Sequence, residues 1–465
     1  MAATDTVRAG QAHGRSRSTS SARRYRLGVA LFLFAALFVA GGASRAEEPR
    51  QIVAQLACIV ALAATAWRLE MPASRLPSLW RRIGLGAYFL LIAQLIPLPP
   101  SLWAILPGHR VYSDIAAATG TVGWRPLTLT PDTTLSALFA LLAPTAAIVV
   151  GLFLDTKARL TLWACLIGAA LASAGLGLLQ LAAPSAPLRL YRETSFDSAV
   201  GMLANRNHQA VFLACALPPL GALLGNRMHQ RPALKLLALG MAAVLFLAIG
   251  DLATSSRAGA LLGLGGAACG LWAFRAAGAR LHGIRGHKVL LGLALAFATL
   301  ILLAIAISHH GVVSRFGQSD PASETRVQMV APLLHTAGAF FPFGSGFGSF
   351  ATVYRQFEPN ALLSTIYMNQ AHNEPLQLAI EGGLPALTLL AIFLWWWFTT
   401  ATGILRAALP AQRRAFAIAS VSVSALLMVQ SLVDYPLRTP LLAALFAFAC
   451  FEMARTAAYR PASRA

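Results

Sequence analysis

The sequence predicts an all-α protein, a polytopic transmembrane helical bundle of about twelve spans carrying one folded helical loop on its outer side. Three observations predict it. The chain is 57% hydrophobic and only 12% charged, against roughly 25% charged residues in a soluble domain. Its apolar residues come in blocks that are apolar almost all round, which no water-exposed helix sustains. Its basic residues fall at alternate ends of those blocks.

The blocks read in order. Leu27–Ala43 is the first, and its distance from the N-terminus and missing small-residue cleavage pattern make it an uncleaved signal anchor. Gln51–Trp67 follows, then segments near 83–97, 134–153, 160–180, 210–224, 234–250 and 258–274. Val289–Ile307, Leu384–Phe398, 415–431 and 439–454 complete the set. Each approaches the length a helix needs to cross a ~30 Å hydrocarbon core at 1.5 Å per residue. The five cysteines Cys58, Cys165, Cys215, Cys269 and Cys450 all fall inside these blocks without CxxC spacing, which points to packing rather than disulfides or zinc.

Charge orients the bundle. With the N-terminus in the cytoplasm, 25 of the 37 basic residues land inside, but only 4 of the 17 acidic ones. Short inner loops carry Arg81/Arg82, Lys157/Arg159, Arg227/Arg231/Lys235, Arg275/Arg280 and Arg413/Arg414, as the positive-inside rule requires. The net charge of +20 is thereby explained by membrane topology and anionic headgroups, and no nucleic-acid partner is expected. The expected organisation is a cytoplasmic basic tail (1–26), spans one to nine (27–307) with outer loops 97–133 and 181–209, a long outer loop (308–383), spans ten to twelve (384–454) and a cytoplasmic tail (455–465).

The outer side holds the residues capable of chemistry. In Ala371-His372-Asn373-Glu374-Pro375-Leu376-Gln377, Asn373 suits an N-cap and Pro375 a first helical turn. Gly382-Gly383 then ends that short helix before the next span. His372 sits beside a helix N-terminus, whose partial positive charge favours neutral imidazole, suited to general-base work; the plainer role is a histidine that orders the loop. Asn205-Arg206-Asn207-His208 and Thr254-Ser255-Ser256-Arg257 each precede a span. Arg206 and Arg257 either snorkel to headgroups or clamp phosphate oxygens bidentately. Asp434-Tyr435-Pro436-Leu437-Arg438 pairs opposite charges across one turn, as a structural ion pair would. Gly344-Ser345-Gly346-Phe347-Gly348 lacks both a βαβ context and the P-loop lysine, so a tight turn or backbone nest is expected. Pro97-Leu98-Pro99-Pro100 ends a span and leads into a short interfacial helix containing Trp103. His309-His310 has no partner ligands, and no metal site is expected.

Taken together these motifs resemble the O-antigen ligase superfamily of bacterial envelope glycosyltransferases, which includes O-antigen polymerases and protein oligosaccharyltransferases. The matching stretches are Gln94–Pro99, Arg125–Thr128 with Pro131, Gly201–His208, Thr254–Gly259, Gly344–Phe350, Ala371–Gly383 and Asp434–Arg438. The resemblance implies transfer of a glycan from an undecaprenyl-diphosphate-linked donor to an acceptor hydroxyl at the periplasmic face of the inner membrane, without metal, nucleotide or other cofactor. It implies that His372 activates the acceptor and that Arg206 and Arg257 hold the diphosphate. Asn207, His208, Asn373, Glu374, Gln377, Asp434 and Arg438 are supporting candidates. The expected partners are the lipid-linked donor, a lipid A–core or glycan acceptor, and membrane lipids.

O-antigen ligation to lipid A–core ranks first, an O-antigen or exopolysaccharide polymerase second, and protein glycosylation third. From a different class, a lipid-linked glycan transporter would place ionisable residues at mid-membrane and show inverted repeats. The spans here carry almost no charge away from their ends. A receptor-like scaffold would leave the polar clusters without a role.

Overall fold

The computed structural model describes residues 2–43, 45, 49–67, 78–279, 328–363 and 368–459. The expected span Val289–Ile307, together with His309-His310, lies outside the described residues. The elements in order are α1 (Ala2–Ala40), α2 (Pro49–Trp67), α3 (Ser78–Leu95), β1 (Pro97–Leu98), α4 (Pro100–Trp103), α5 (Arg110–Thr119) and β2 (Arg125–Pro126). Next come α6 (Pro131–Ala140), α7 (Leu142–Leu152), α8 (Thr156–Ala182), α9 (Arg206–Gln230), α10 (Leu234–Ala253) and α11 (Arg257–Ala276). After these stand α12 (Val330–Phe340), α13 (Phe350–Tyr354), α14 (Glu374–Arg406), α15 (Ala411–Gln430) and α16 (Pro440–Ala457).

Among the described residues, nine segments are long and apolar enough to cross a membrane: α2, α6 with α7, α8, α9, α10, α11, α14, α15 and α16. The protein is therefore helical and multi-pass, and among the described residues the one small sheet is the antiparallel pair β1–β2 with Pro97 opposite Pro126. Helices α1 and α3 cover the two remaining expected spans in sequence.

Two helices interrupt the simple pattern, each for a stated reason. The block expected as one span over 134–153 is broken at Leu141. Pro144 lies in the first turn of α7, where it has no N–H to return to Ala140 and its ring crowds that carbonyl. Helix α14 contains a non-helical residue at Gly383 (φ 58°, ψ −150°), a conformation open essentially to glycine alone. A Cβ there would sit 2.2 Å from the Pro342 carbonyl oxygen. The expected stop at Gly382-Gly383 is thus a kink that separates a surface helix (374–382) from the span proper.

Helix α9 is the axle of the bundle, enclosed on nearly every side, while α2, α8, α10 and α11 leave large apolar side chains such as Leu239 and Leu261 exposed. That inside-out distribution is what a lipid-facing surface requires. Helices α9 and α11 run parallel at close range because their contact is lined by glycine: a Cβ on Gly221 would lie 2.0 Å from the Gly270 carbonyl oxygen, and one on Gly266 2.6 Å from that of Ala214.

The two ends of the bundle differ chemically. At one end Arg23 pairs with Asp155 at 2.8 Å, the buried Arg159 with Glu452 at 2.9 Å, and Arg413 stacks on Tyr459. The opposite end gathers the polar motifs. There the Gly42 amide donates to the Tyr191 hydroxyl (2.9 Å), Leu441 to Gly41 (3.0 Å), Glu374 to Ser431 (2.9 Å) and the Gln94 amide to Glu381 (2.9 Å).

Candidate active site

Three helices begin at the polar end, each with a side-chain cap. Asn205 accepts from the Asn207 amide (2.8 Å), Ser256 from Gly259 (3.0 Å) and Asn373 from Leu376 (2.9 Å), starting α9, α11 and α14. A single hydrogen-bond chain joins these starts. The Ser256 hydroxyl donates to Asn207 Oδ1 (2.8 Å), and Asn207 Nδ2 donates to Asp434 Oδ2 (2.5 Å). Asp434 Oδ1 lies 3.2 Å from His372 Nδ1. A carboxylate only accepts, so Nδ1 carries the proton and Nε2 is left with its lone pair. Asp434 is fully buried, and a buried carboxylate needs this set of donors to be tolerated. It also accepts from the Tyr435 amide at 3.0 Å.

His372 is held in a costly backbone conformation. It and Ser255 are the non-glycine residues with positive φ among those described (48° and 55°), and each such residue costs on the order of 1–3 kcal/mol. Both flank the hydrogen-bond chain, so the strain is concentrated at the candidate site. The imidazole packs edge-on to Tyr435 with centroids 4.8 Å apart, and its side chain is 23% exposed. His372 therefore has one nitrogen fixed by a carboxylate and one facing outward. The sequence places a helix N-terminus beside this ring; the structure adds Asp434, which orients the imidazole.

His208 has a different environment. It is fully buried, shares Nδ1 with the Thr439 hydroxyl (2.9 Å) and also packs edge-on to Tyr435 (5.1 Å). Its Nε2 stands 3.9 Å from Asp434. It braces the tyrosine and carboxylate that hold His372, and links them to the start of α16.

Arg206 and Arg257 are the first residues of α9 and α11, half-buried and each engaged by neighbouring groups. Their sequence neighbours Asn207 and Ser256 hydrogen-bond directly, so the two arginines stand at adjoining helix starts. Helix N-termini and arginines brought into one neighbourhood can attract an anion.

The remaining candidates form the floor. Glu374 Oε1 accepts from the Leu437 amide (2.8 Å), and Gln377 Oε1 from Ala371 (3.0 Å), which fixes the segment leading into His372. Asn373 Nδ2 donates to Leu432 O at 2.9 Å. Arg438 does not pair with Asp434 across one turn; it donates to Glu381 Oε2 at 2.8 Å, because the 3-10 turn Pro436–Arg438 aims it at α14. Glu381 is the residue that sequence reasoning under-weighted. Completely buried, it also accepts from Gln377 Nε2 (3.0 Å) and the Phe350 amide (3.3 Å). Its signal was present in the spacing: Glu374, Gln377 and Glu381 recur at i, i+3 and i+7 on one helix face. Gln94 completes this floor by bonding both Glu381 O and the Phe347 amide, each at 2.9 Å. The glycine-rich segment is the tight turn expected, with Gly344, Gly346 and Gly348 all at positive φ and Gly346 pressed on Thr128. Among the described residues, no three His, Cys, Asp or Glu side chains are grouped to hold a metal ion.

Residues 242–391 match the family model described as O-antigen ligase. The matched stretch contains Arg257, His372, Glu374, Gln377 and Glu381, while Arg206, Asn207, His208, Asp434 and Arg438 come from outside it. No curated protein matches the chain.

Proposed function

We propose, from the premise that this chain belongs to the O-antigen ligase superfamily of glycosyltransferase-like membrane enzymes acting on lipid-linked glycans, that it transfers a glycan from an undecaprenyl-diphosphate donor to an acceptor hydroxyl. The preferred acceptor is lipid A–core, which makes the chain a ligase. The observation that carries this reading is the Asp434–His372 pair, with its outward Nε2, set beside the helix starts that bear Arg206 and Arg257.

In this reading His372 Nε2 takes the proton of the acceptor hydroxyl while the hydroxyl oxygen forms a bond to the anomeric carbon. The bond from that carbon to the diphosphate oxygen breaks in the same displacement, and the anomeric centre inverts. The proton remains on the imidazole, stabilised by Asp434, until it is released to water. Arg206 and Arg257 neutralise the charge that develops on the leaving diphosphate, which is electrostatic stabilisation of the transition state. The donor tail stays in the bilayer while its sugar reaches water, which fits a site at a membrane boundary. The basic opposite end of the bundle supports cytoplasmic termini and a periplasmic site in the inner membrane. The nine apolar segments with α1, α3 and Val289–Ile307 support a count of twelve spans.

The test is an envelope-glycan gel from a deletion strain, complemented with wild type or His372→Ala. Core without polymer, with polymer accumulating on the lipid carrier, is the result expected for a ligase. Core bearing a single repeat would instead make the chain a polymerase, and unchanged glycan would refute both.

A further inference from the structure

The end of the bundle opposite the candidate site carries more positive charge than its ion pairs neutralise. Arg159 of α8 meets Glu452 of α16 at 2.9 Å, and Arg455 meets the other oxygen of the same carboxylate at 3.1 Å. Arg413, near the start of α15, lies close enough to repel both guanidinium groups. Asp155 is held by Arg23 at 2.8 Å. Three buried or half-buried cations thus share the carboxylate of Glu452. Charges withdrawn from water in this way are costly unless an anion faces them. Arg413 stacks on Tyr459, 3.6 Å from the ring centroid, and the buried Arg455 Nε has no hydrogen-bond partner among the described residues.

Beside these cations a cavity of about 350 Å³ lies between the ends of α14 and α16. Its walls include Thr399, Thr400 and Gly403 of α14, Leu409 of the following loop, Thr456 of α16 and Tyr459 beyond it. Thr456 follows Arg455 directly and Tyr459 is the ring under Arg413, so the excess charge adjoins the cavity wall. The Thr399 hydroxyl donates to the Trp395 carbonyl at 2.8 Å. Thr400, Thr456 and Tyr459 bring further hydroxyls, which can donate to an anion.

The cavity opens at Gly403, an exposed lining residue where a Cβ would meet nothing within 4 Å. Gly403, Thr399 and Trp395 recur at four-residue spacing on α14, with Phe398 beside them. Trp395 and Phe398 are each 63% exposed. The polar mouth therefore runs straight onto a lipid-facing apolar surface, which an amphiphile covers and a free anion does not.

We propose that this cavity is the headgroup site of an anionic phospholipid, with its phosphate toward Arg413 and Arg455 and its acyl chains along Trp395 and Phe398. The uncompensated positive charge favours a headgroup such as phosphoglycerol over one that carries an ammonium. The lipid bridges the ends of α14 and α16, the two helices whose other ends carry Glu374 and Thr439 at the candidate site.

The experiment titrates the purified full chain in detergent with phosphatidylglycerol, phosphatidylethanolamine or inorganic phosphate. Bound lipid is counted by native mass spectrometry, and the melting temperature is followed alongside. A phosphatidylglycerol is expected to bind about tenfold more tightly than phosphatidylethanolamine and to raise the melting temperature. Arg413→Gln and Gly403→Leu, whose side chain enters the cavity mouth, should each weaken that binding about tenfold. Leucine is the better helix former at this exposed position, so Gly403→Leu should retain the fold. Gly84→Leu, at an exposed glycine of α3 where a Cβ also meets nothing, should leave binding unchanged. Equal binding of the two lipids would overturn the proposal, as would phosphatidylglycerol binding untouched by Gly403→Leu. Displacement of phosphatidylglycerol by inorganic phosphate at comparable concentration would make this a free-anion site and overturn the lipid assignment.

Discussion

At the scale of single residues, the site depends on a carboxylate that shapes a histidine. Asp434 supplies the acceptor that sets the His372 tautomer, and Asn207 holds Asp434 in turn. Asp434→Asn presents an amide to Nδ1 and disturbs both tautomer and imidazolium stability. Turnover of purified protein is expected to fall on the order of a hundredfold with the donor KM little changed. Arg206→Lys keeps the charge but loses the planar fork, so the donor KM should rise about tenfold while the fold is retained; an unchanged KM would argue that Arg206 only meets headgroups. The separate motifs were legible in the sequence, since Asn373 and Pro375 mark a helix start beside His372. Their pairing was not: Asp434 lies 62 residues from His372 and 227 from Asn207, and residue type alone paired it with the nearer Arg438.

At the scale of elements, glycine contacts set how the helices meet. The kink at Gly383 turns the surface helix 374–382 against the Pro342 loop, with the Leu384 amide donating to Pro342 O at 2.8 Å. Gly383→Ala meets both a forbidden conformation and a carbonyl, and is expected to cost about 1–3 kcal/mol, seen as a lower melting temperature in detergent. Glu381→Gln leaves Arg438 without its charge partner and should cost about 3 kcal/mol; Arg438→Gln combined with it should recover part of that loss, since no lone charge then remains. The helices themselves were legible because a membrane demands uninterrupted apolar blocks, and α8, α10 and α16 fall where those blocks fall. The break at Leu141 was hidden because Pro144 is compatible with a helix start as well as with a kinked span. The floor built by Gln94 and Glu381 joins residues 287 apart, a separation at which local pattern carries no signal.

At the scale of the whole molecule, one polar end and one basic end define a direction. A cysteine introduced at Thr119, exposed at the end of α5, should react with a membrane-impermeant maleimide in spheroplasts, and one at Arg231, beyond α9, should not. The reverse pattern would invert the orientation drawn from the basic loops. Composition made the membrane class plain, and charge sorting made the two ends plain. The proposed acceptor is written in neither, because in the proposed reading it depends on the surface offered above His372 rather than on the groups proposed to activate it. The most direct test of the account is therefore turnover by purified His372→Ala in lipid vesicles, with a lipid-linked glycan donor and a lipid A–core acceptor. Loss of about a hundredfold to ten-thousandfold in kcat, with donor binding retained, is the result expected if His372 is the base; full turnover by this variant would contradict it.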